Sequence, residues 1–130
     1  MLIRSRHPDK AAGSPKSVRG IVTNVSNYNP WRHSTCPALT SPSQTCDEER
    51  YINAFAPKLR AEGFPAHFIV DTGRSGKQPT GQIEWGDWCN VQGAGFGVRP
   101  TTSTGSELVD AFVWVKPGGE VCVLRACGVG

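Results

Sequence analysis

Three groups of residues carry the side chains that polar substrate chemistry uses. Asn27 follows one β-branched run, Asp71 and Arg74 follow a second, and Lys116 and Glu120 follow a third. Trp31, Trp85 and Trp88 fall in the segments between them. Amides, carboxylates and cations among flat indoles match what a sugar ring needs. Its C–H face packs on the indole while its hydroxyls take directed hydrogen bonds. The same tryptophans could equally fill the core, with the polar groups merely solvating strand ends.

The elements that must position these residues can be read from the pattern. Residues 1–18 read as a loop or frayed arm. Gly20–Asn27 is β-branched and bounded by Gly20 and Pro30, which predicts a strand. A long Ser/Thr/Pro-rich loop, 28–46, follows. Asp47, Glu48 and Glu49 then place acids where a helix dipole favours them. Tyr51, Phe55 and Leu59 recur every four residues with Ile52 and Ala56 beside them, one apolar helical face. Gly63 should stop this helix and Pro57 should kink it. Ala66–Asp71 is a second strand whose continuous apolar centre suits cover on both faces. A glycine-rich stretch, 72–107, shows no helix, and Ala111–Lys116 is a third strand. Strand, helix, strand, loop, strand is a parallel α/β pattern. In such architectures ligands sit past the carboxyl ends of the strands, where the polar groups above fall. Loops this long are uncommon unless they build a site.

Other chemistries fit less well. Gly93-Ala94-Gly95-Phe96-Gly97 lacks the last glycine of a dinucleotide fingerprint, because Val98 stands there. Gly76-Lys77 resembles the end of a phosphate loop, but Asp71 and Gln78 occupy required positions. The run Phe68–Gly73 ends in Asp-Thr-Gly and resembles the catalytic loop of aspartic proteases, in which a dimer would pair two copies of Asp71. The amphipathic helix directly before it argues against that fold. Charges are scattered, with 14 Lys+Arg against 11 Asp+Glu, so a basic nucleic-acid footprint is missing. No apolar run is long enough to span a membrane, and the first residues lack the apolar core of a secretion signal. The five cysteines form no C-x-x-C pair and do not cluster with the three histidines, so neither a zinc site nor another cofactor is expected. Cys36 and Cys46 flank a polar loop that a disulfide could pin, which would suit an oxidising compartment. The sequon Asn24-Val25-Ser26 lies in an apolar run and is read as buried and unused.

Four blocks in one order carry a specific resemblance. They are Val18–Asn29 (VRGIVTNVSNYN), Phe68–Gly76 (FIVDTGRSG), Trp85–Asn90 (WGDWCN) with Gly95–Pro100 (GFGVRP), and Phe112–Glu120 (FVWVKPGGE). Over residues 10–120 the sequence resembles the family 6 glycoside hydrolases, in particular fungal cellobiohydrolases acting from the non-reducing end. The resemblance implies an α/β fold, a distorted barrel of which this chain is roughly half, with long active-site loops. It also implies a secreted, monomeric enzyme that hydrolyses β-1,4-glucan (cellulose) with inversion. Carried over residue by residue, Asn27 would hydrogen-bond substrate and Trp88 would be a sugar platform. Lys116 and Glu120 would grip hydroxyls of the same glucosyl unit. Arg74, with Lys116, would pair with the family's proposed base carboxylate.

The departures weigh as much. The family's acid lies upstream of anything matching this chain, and Cys122 stands where the base would be. Residues 121–130 read as an aberrant tail and 1–9 as an unrelated arm. Inversion needs an acid and a base on opposite faces of the sugar ring, so the chain is expected to be inactive alone. A barrel takes about 250 residues, so 130 leave unpaired strand edges and an apolar flank that should favour association or poor folding. A non-catalytic carbohydrate-binding protein that kept the Trp88, Lys116 and Glu120 subsite is the alternative reading.

Overall fold

The computed structural model describes residues 17–41, 43–75, 81–84, 87 and 91–116. Strands β1 (Gly20–Thr23), β2 (His67–Asp71) and β3 (Val109–Val113) form one sheet in the order β1-β2-β3, and both pairings are parallel. Helix α1 (Glu48–Ala61) makes the crossover from β1 to β2. The expected parallel α/β arrangement is present. Among the described residues the sheet is three-stranded and open, not a closed barrel.

Helix α1 starts where the sequence places it. Asp47 caps it, its carboxylate accepting from the Arg50 N–H at 2.8 Å, and Glu48 and Glu49 occupy the first turn. It runs through Pro57 as one element. It ends at Gly63, whose φ of +87° lets Phe64 N–H reach back to the Leu59 carbonyl at 2.9 Å. The buried stripe is displaced from the expected one. Ile52, Ala56 and Leu59 face the sheet, whereas Tyr51 is exposed and Phe55 half-buried. The two aromatics lie on the rim of the contact, 5.5 Å apart, and Phe55 reaches Phe68 at 6.4 Å. The smaller aliphatic side chains can approach the sheet closely, and the rings close its edge.

The core consists of Ile52, Ala56 and Leu59 from α1 against Ala66, Phe68, Val70, Val109 and Phe112. The cover expected on both faces of β2 is not seen among the described residues. The strand's burial alternates, with Phe68 and Val70 buried and His67 and Ile69 half-buried. Among the described residues α1 covers one side only, and Val22, paired with Ile69, is 49% exposed on the other. Gly20 is required by the close approach of β1 to β2. A Cβ there would lie 1.8 Å from the His67 carbonyl oxygen.

Two strands are shorter than their apolar runs. Strand β1 ends at Thr23 because the chain turns through left-handed conformations at Asn24 (φ 61°) and Ser26 (φ 64°), closed by Asn27 N–H to the Asn24 carbonyl at 3.0 Å. Strand β3 lies at Val109–Val113, starting two residues ahead of the expected Ala111, and it ends before Lys116 because the N–H groups of Val115 and Lys116 turn to a carboxylate instead of a neighbouring strand. In the 28–46 loop, Cys36 and Cys46 form the expected disulfide, with Cα atoms 5.6 Å apart.

Candidate functional site at the carboxyl ends of the strands

The polar residues singled out by their positions converge on Asp71. It ends β2, is 2% exposed, and accepts from four backbone N–H groups: Gly73 at 2.9 Å, Lys116 at 3.1 Å, Val115 at 3.2 Å and Ser26 at 3.4 Å. One carboxylate therefore ties together the segments that follow all three strands. Asn24 reinforces the junction, its Nδ2 donating to the carbonyls of Asn29 at 2.6 Å and Asp71 at 2.9 Å. That amide is half-buried, not fully buried as expected, and Val25 beside it is exposed.

Around this knot the candidate residues are held by their own contacts. Asn27 is exposed, and its Oδ1 accepts from Tyr28 N–H at 2.8 Å, which fixes the direction of its amide. Arg74 donates to the Ser26 carbonyl and lies over the Tyr28 ring, 4.3 Å from its centroid. Tyr28 is 3% exposed and its hydroxyl accepts from Val91 N–H at 3.0 Å, so Arg74 rests on a fixed platform. Lys116 is half-buried and anchored by its backbone. Trp85, Trp88, Glu120 and Cys122 lie outside the described residues, as do the 1–9 arm and the 121–130 tail. Nothing supports the aspartic-protease reading: Asp71 ends a parallel strand, and both its oxygens are occupied by backbone donors.

Glu48 lies behind the β1 turn. It is 4% exposed, and its Oε1 accepts from Asn29 Nδ2 at 2.9 Å. Burial pushes its carboxyl above the ordinary glutamate range, against the lowering effect of the Asn29 hydrogen bond. No sequence signal separates this residue from Glu49, which instead pairs with Arg32 at the surface.

A cleft of about 260 Å³ lies beside the strand ends. Trp31 and Arg32 form one wall, Phe96 and Val98 the other, and Ser75 is its most recessed lining residue. Trp31 also packs on the core, 5.2 Å from the Phe112 ring, as the core-filler reading of this tryptophan has it. Phe96 lies 4.9 Å from Trp114, whose Nε1 donates to the Val98 carbonyl at 2.9 Å. Phe96 belongs to the GFGVRP block but is not among the expected site residues. A bulky ring isolated among glycines, which need backbone room, is the signal that marks it. Among the described residues no carboxylate lines this cleft.

The model of the glycosyl hydrolases family 6 matches residues 5–122. The chain belongs to that family. It is 68% identical over 111 residues to the probable 1,4-beta-D-glucan cellobiohydrolase C of Aspergillus niger, covering 85% of this chain and 24% of that protein. The 1,4-beta-D-glucan cellobiohydrolase CEL6A of Podospora anserina is 64% identical over the same length, with 23% of it covered. The chain thus spans about a quarter of the curated relatives it matches. The catalytic core of the cellobiohydrolase Cel6A from Chaetomium thermophilum superposes with a TM-score of 0.83 at 66% identity, over 87% of this chain and 31% of that one. A Humicola insolens endoglucanase, CEL6B, superposes at 0.73 with 50% identity, over 79% and 30%.

Proposed function

We propose that this family 6 chain carries part of the glucan-binding cleft of an inverting β-1,4-glucan cellobiohydrolase, the α/β segment corresponding to 31% of such a catalytic core and not the half expected from its length. The observation that carries the reading is the 68% identity to a cellobiohydrolase over 111 residues, 85% of this chain. Asn27 and Lys116, both held at the strand ends, would hydrogen-bond glucosyl hydroxyls, with Glu120 gripping the same unit. Trp88 would be the platform under the ring. Arg74, steadied on Tyr28, would with Lys116 orient the base carboxylate of the complete site. Secretion accords with the Cys36–Cys46 disulfide, which persists in oxidising compartments.

The 130-residue chain by itself is read as a binder without turnover. Inversion requires a protonated carboxyl and a carboxylate about 6.5–9.5 Å apart on opposite faces of the sugar. Near the strand ends, Asp71 is committed to backbone N–H groups and Glu48 is enclosed behind the β1 turn. Cys122 takes the place expected for the base, and a thiol at that position cannot substitute for a carboxylate pair. Cellotetraose should quench tryptophan fluorescence without releasing cellobiose. Release of cellobiose that survives repurification would overturn the inactive reading, and unquenched fluorescence would overturn the binding one.

A further inference from the structure

We propose that Glu48 is a positioning residue for the β1 turn that presents Asn27, and that it acts as an un-ionised acid. Its Oε1 holds Asn29 after the turn, and its Oε2–H donates to Thr23 Oγ1 before it. The clamp rests on its own geometry, and its bearing on sugar rests on the function proposed above. Glu48 opens α1, and its Oε1 accepts from Asn29 Nδ2 at 2.9 Å. Its backbone N–H donates to the Pro30 carbonyl at 3.1 Å, so the helix start grips the far side of the turn twice. On the near side is Thr23, the last residue of β1, whose side chain faces the same carboxyl. Thr23 Oγ1 and Glu48 Oε2 are both buried, and neither has a hydrogen-bond partner among the described residues. Buried polar atoms are nearly always paired. One proton on Oε2 lets these two neighbours satisfy each other.

The surroundings select the un-ionised form. A buried carboxylate ion is tolerated where a cation or several donors pair it, and Oε1 has a single amide donor. Asp47, the chain neighbour, adds repulsion, and the Arg50 guanidinium is engaged with that aspartate. Tyr51, three residues along α1, brings a phenol whose own ionisation Glu48 opposes. Arg74 and Asp71, of opposite charge, both bind Ser26 in the turn itself. Burial accordingly holds the Glu48 carboxyl above the ordinary glutamate range. Between the two anchors the backbone is left-handed at Asn24 and Ser26, so the path of the turn depends on how its ends are held. Asn27 and Tyr28, the platform under Arg74, lie on that path. On ionisation the proton passes to water, Oε2 can no longer donate, and the near anchor is released.

The test is NMR of the 130-residue chain with ¹³C-labelled glutamate carboxyls, followed from about pH 4 to 8. The Glu48 signal is the one that Glu48→Gln removes. It should remain un-ionised where the exposed glutamates have ionised, and the Asn27 and Tyr28 amide signals should move with its midpoint. Thr23→Val reads the direction of the hydrogen bond. If Oε2–H donates, loss of its acceptor makes Glu48 ionise at lower pH. If the hydroxyl donates to a carboxylate, its loss makes Glu48 ionise at higher pH, which refutes the proposal. Cellotetraose affinity should fall roughly fivefold as pH rises through the midpoint, the scale of one hydrogen bond. Glu48→Gln, whose amide offers Asn29 an acceptor and Thr23 a donor, should keep the acid-side affinity throughout. Glu48 titrating with the exposed glutamates overturns the proposal, as do Asn27 and Tyr28 signals indifferent to it or an affinity flat across its midpoint. If those signals follow Glu48 while cellotetraose binds at no pH, the clamp stands and the sugar-binding reading falls.

Discussion

The two ends of the sheet are each fastened by an aspartate, and they are built from opposite materials. At the amino end, Asp110 of β3 accepts from Arg19 Nε at 2.6 Å and Nη2 at 3.0 Å, with His67 Nδ1 also at 3.0 Å. Arg19 precedes β1 and His67 begins β2, so this cluster also joins three strands. Its members are solvated: Arg19 is 67% and Asp110 33% exposed at the side chain. At the carboxyl end, Asp71 does the same work while buried, with backbone N–H groups in place of charged side chains. Long solvated side chains can exchange their partner for water. Buried backbone donors cannot, so the loss of Asp71 leaves them unsatisfied. The end that carries the candidate site is the rigid one, which is what binding by directed hydrogen bonds requires.

The largest test of this contrast is Asp71→Ala. It removes the acceptor from four N–H groups and should cost about 3 kcal/mol or more in urea denaturation, with loss of cellotetraose binding. A cost below about 1 kcal/mol would mean that water replaces the carboxylate there as well. An intermediate effect is expected at Glu48. Burial raises its carboxyl, so the folded chain holds that proton more tightly than the unfolded chain does. Its contribution therefore favours the fold at pH below the ordinary glutamate range and is lost as pH rises through the raised value. Glu48→Gln keeps an acceptor for Asn29 without the charge. It should be modestly more stable than the parent at pH 7 and should flatten stability against pH from 4 upward.

The smallest effect is expected from Asp110→Asn. The Arg19 hydrogen bonds hold the Asp110 carboxyl below the usual aspartate range. That contribution is present above the ordinary aspartate pKa and disappears as pH falls through the lowered value, opposite in sign to Glu48. The substitution should cause a slight loss at neutral pH that moderate salt erases, because the pair is solvated. A loss that persists in salt would make the two ends alike.

The order of elements and most of the polar strand-end residues were legible in the sequence. Alternation, β-branching, the acids at 47–49 and the glycine at 63 act through neighbouring backbone, so the chain displays them directly. Boundaries were less legible. Strand β1 stopped early through the αL residues Asn24 and Ser26, and β3 through capture of two N–H groups by a carboxylate forty-odd residues away. The use of Ile52, not Tyr51, as core depended on how closely α1 could approach the sheet. The cleft was invisible because Trp31, Ser75 and Phe96 are separated by long loops and meet only in space.

Taken alone, the sequence determined the α/β class, the capped helix, the family blocks and the chemical types available past each strand, since all of these follow from local spacing and composition. The tertiary structure decided that Asp71 is a buried clasp, that Arg74 rests on Tyr28, and that Trp31 and Phe96 line one cleft. Burial and partnership between distant segments set the protonation, rigidity and reach of a side chain, and neither property is carried by the residue's own neighbours in the chain.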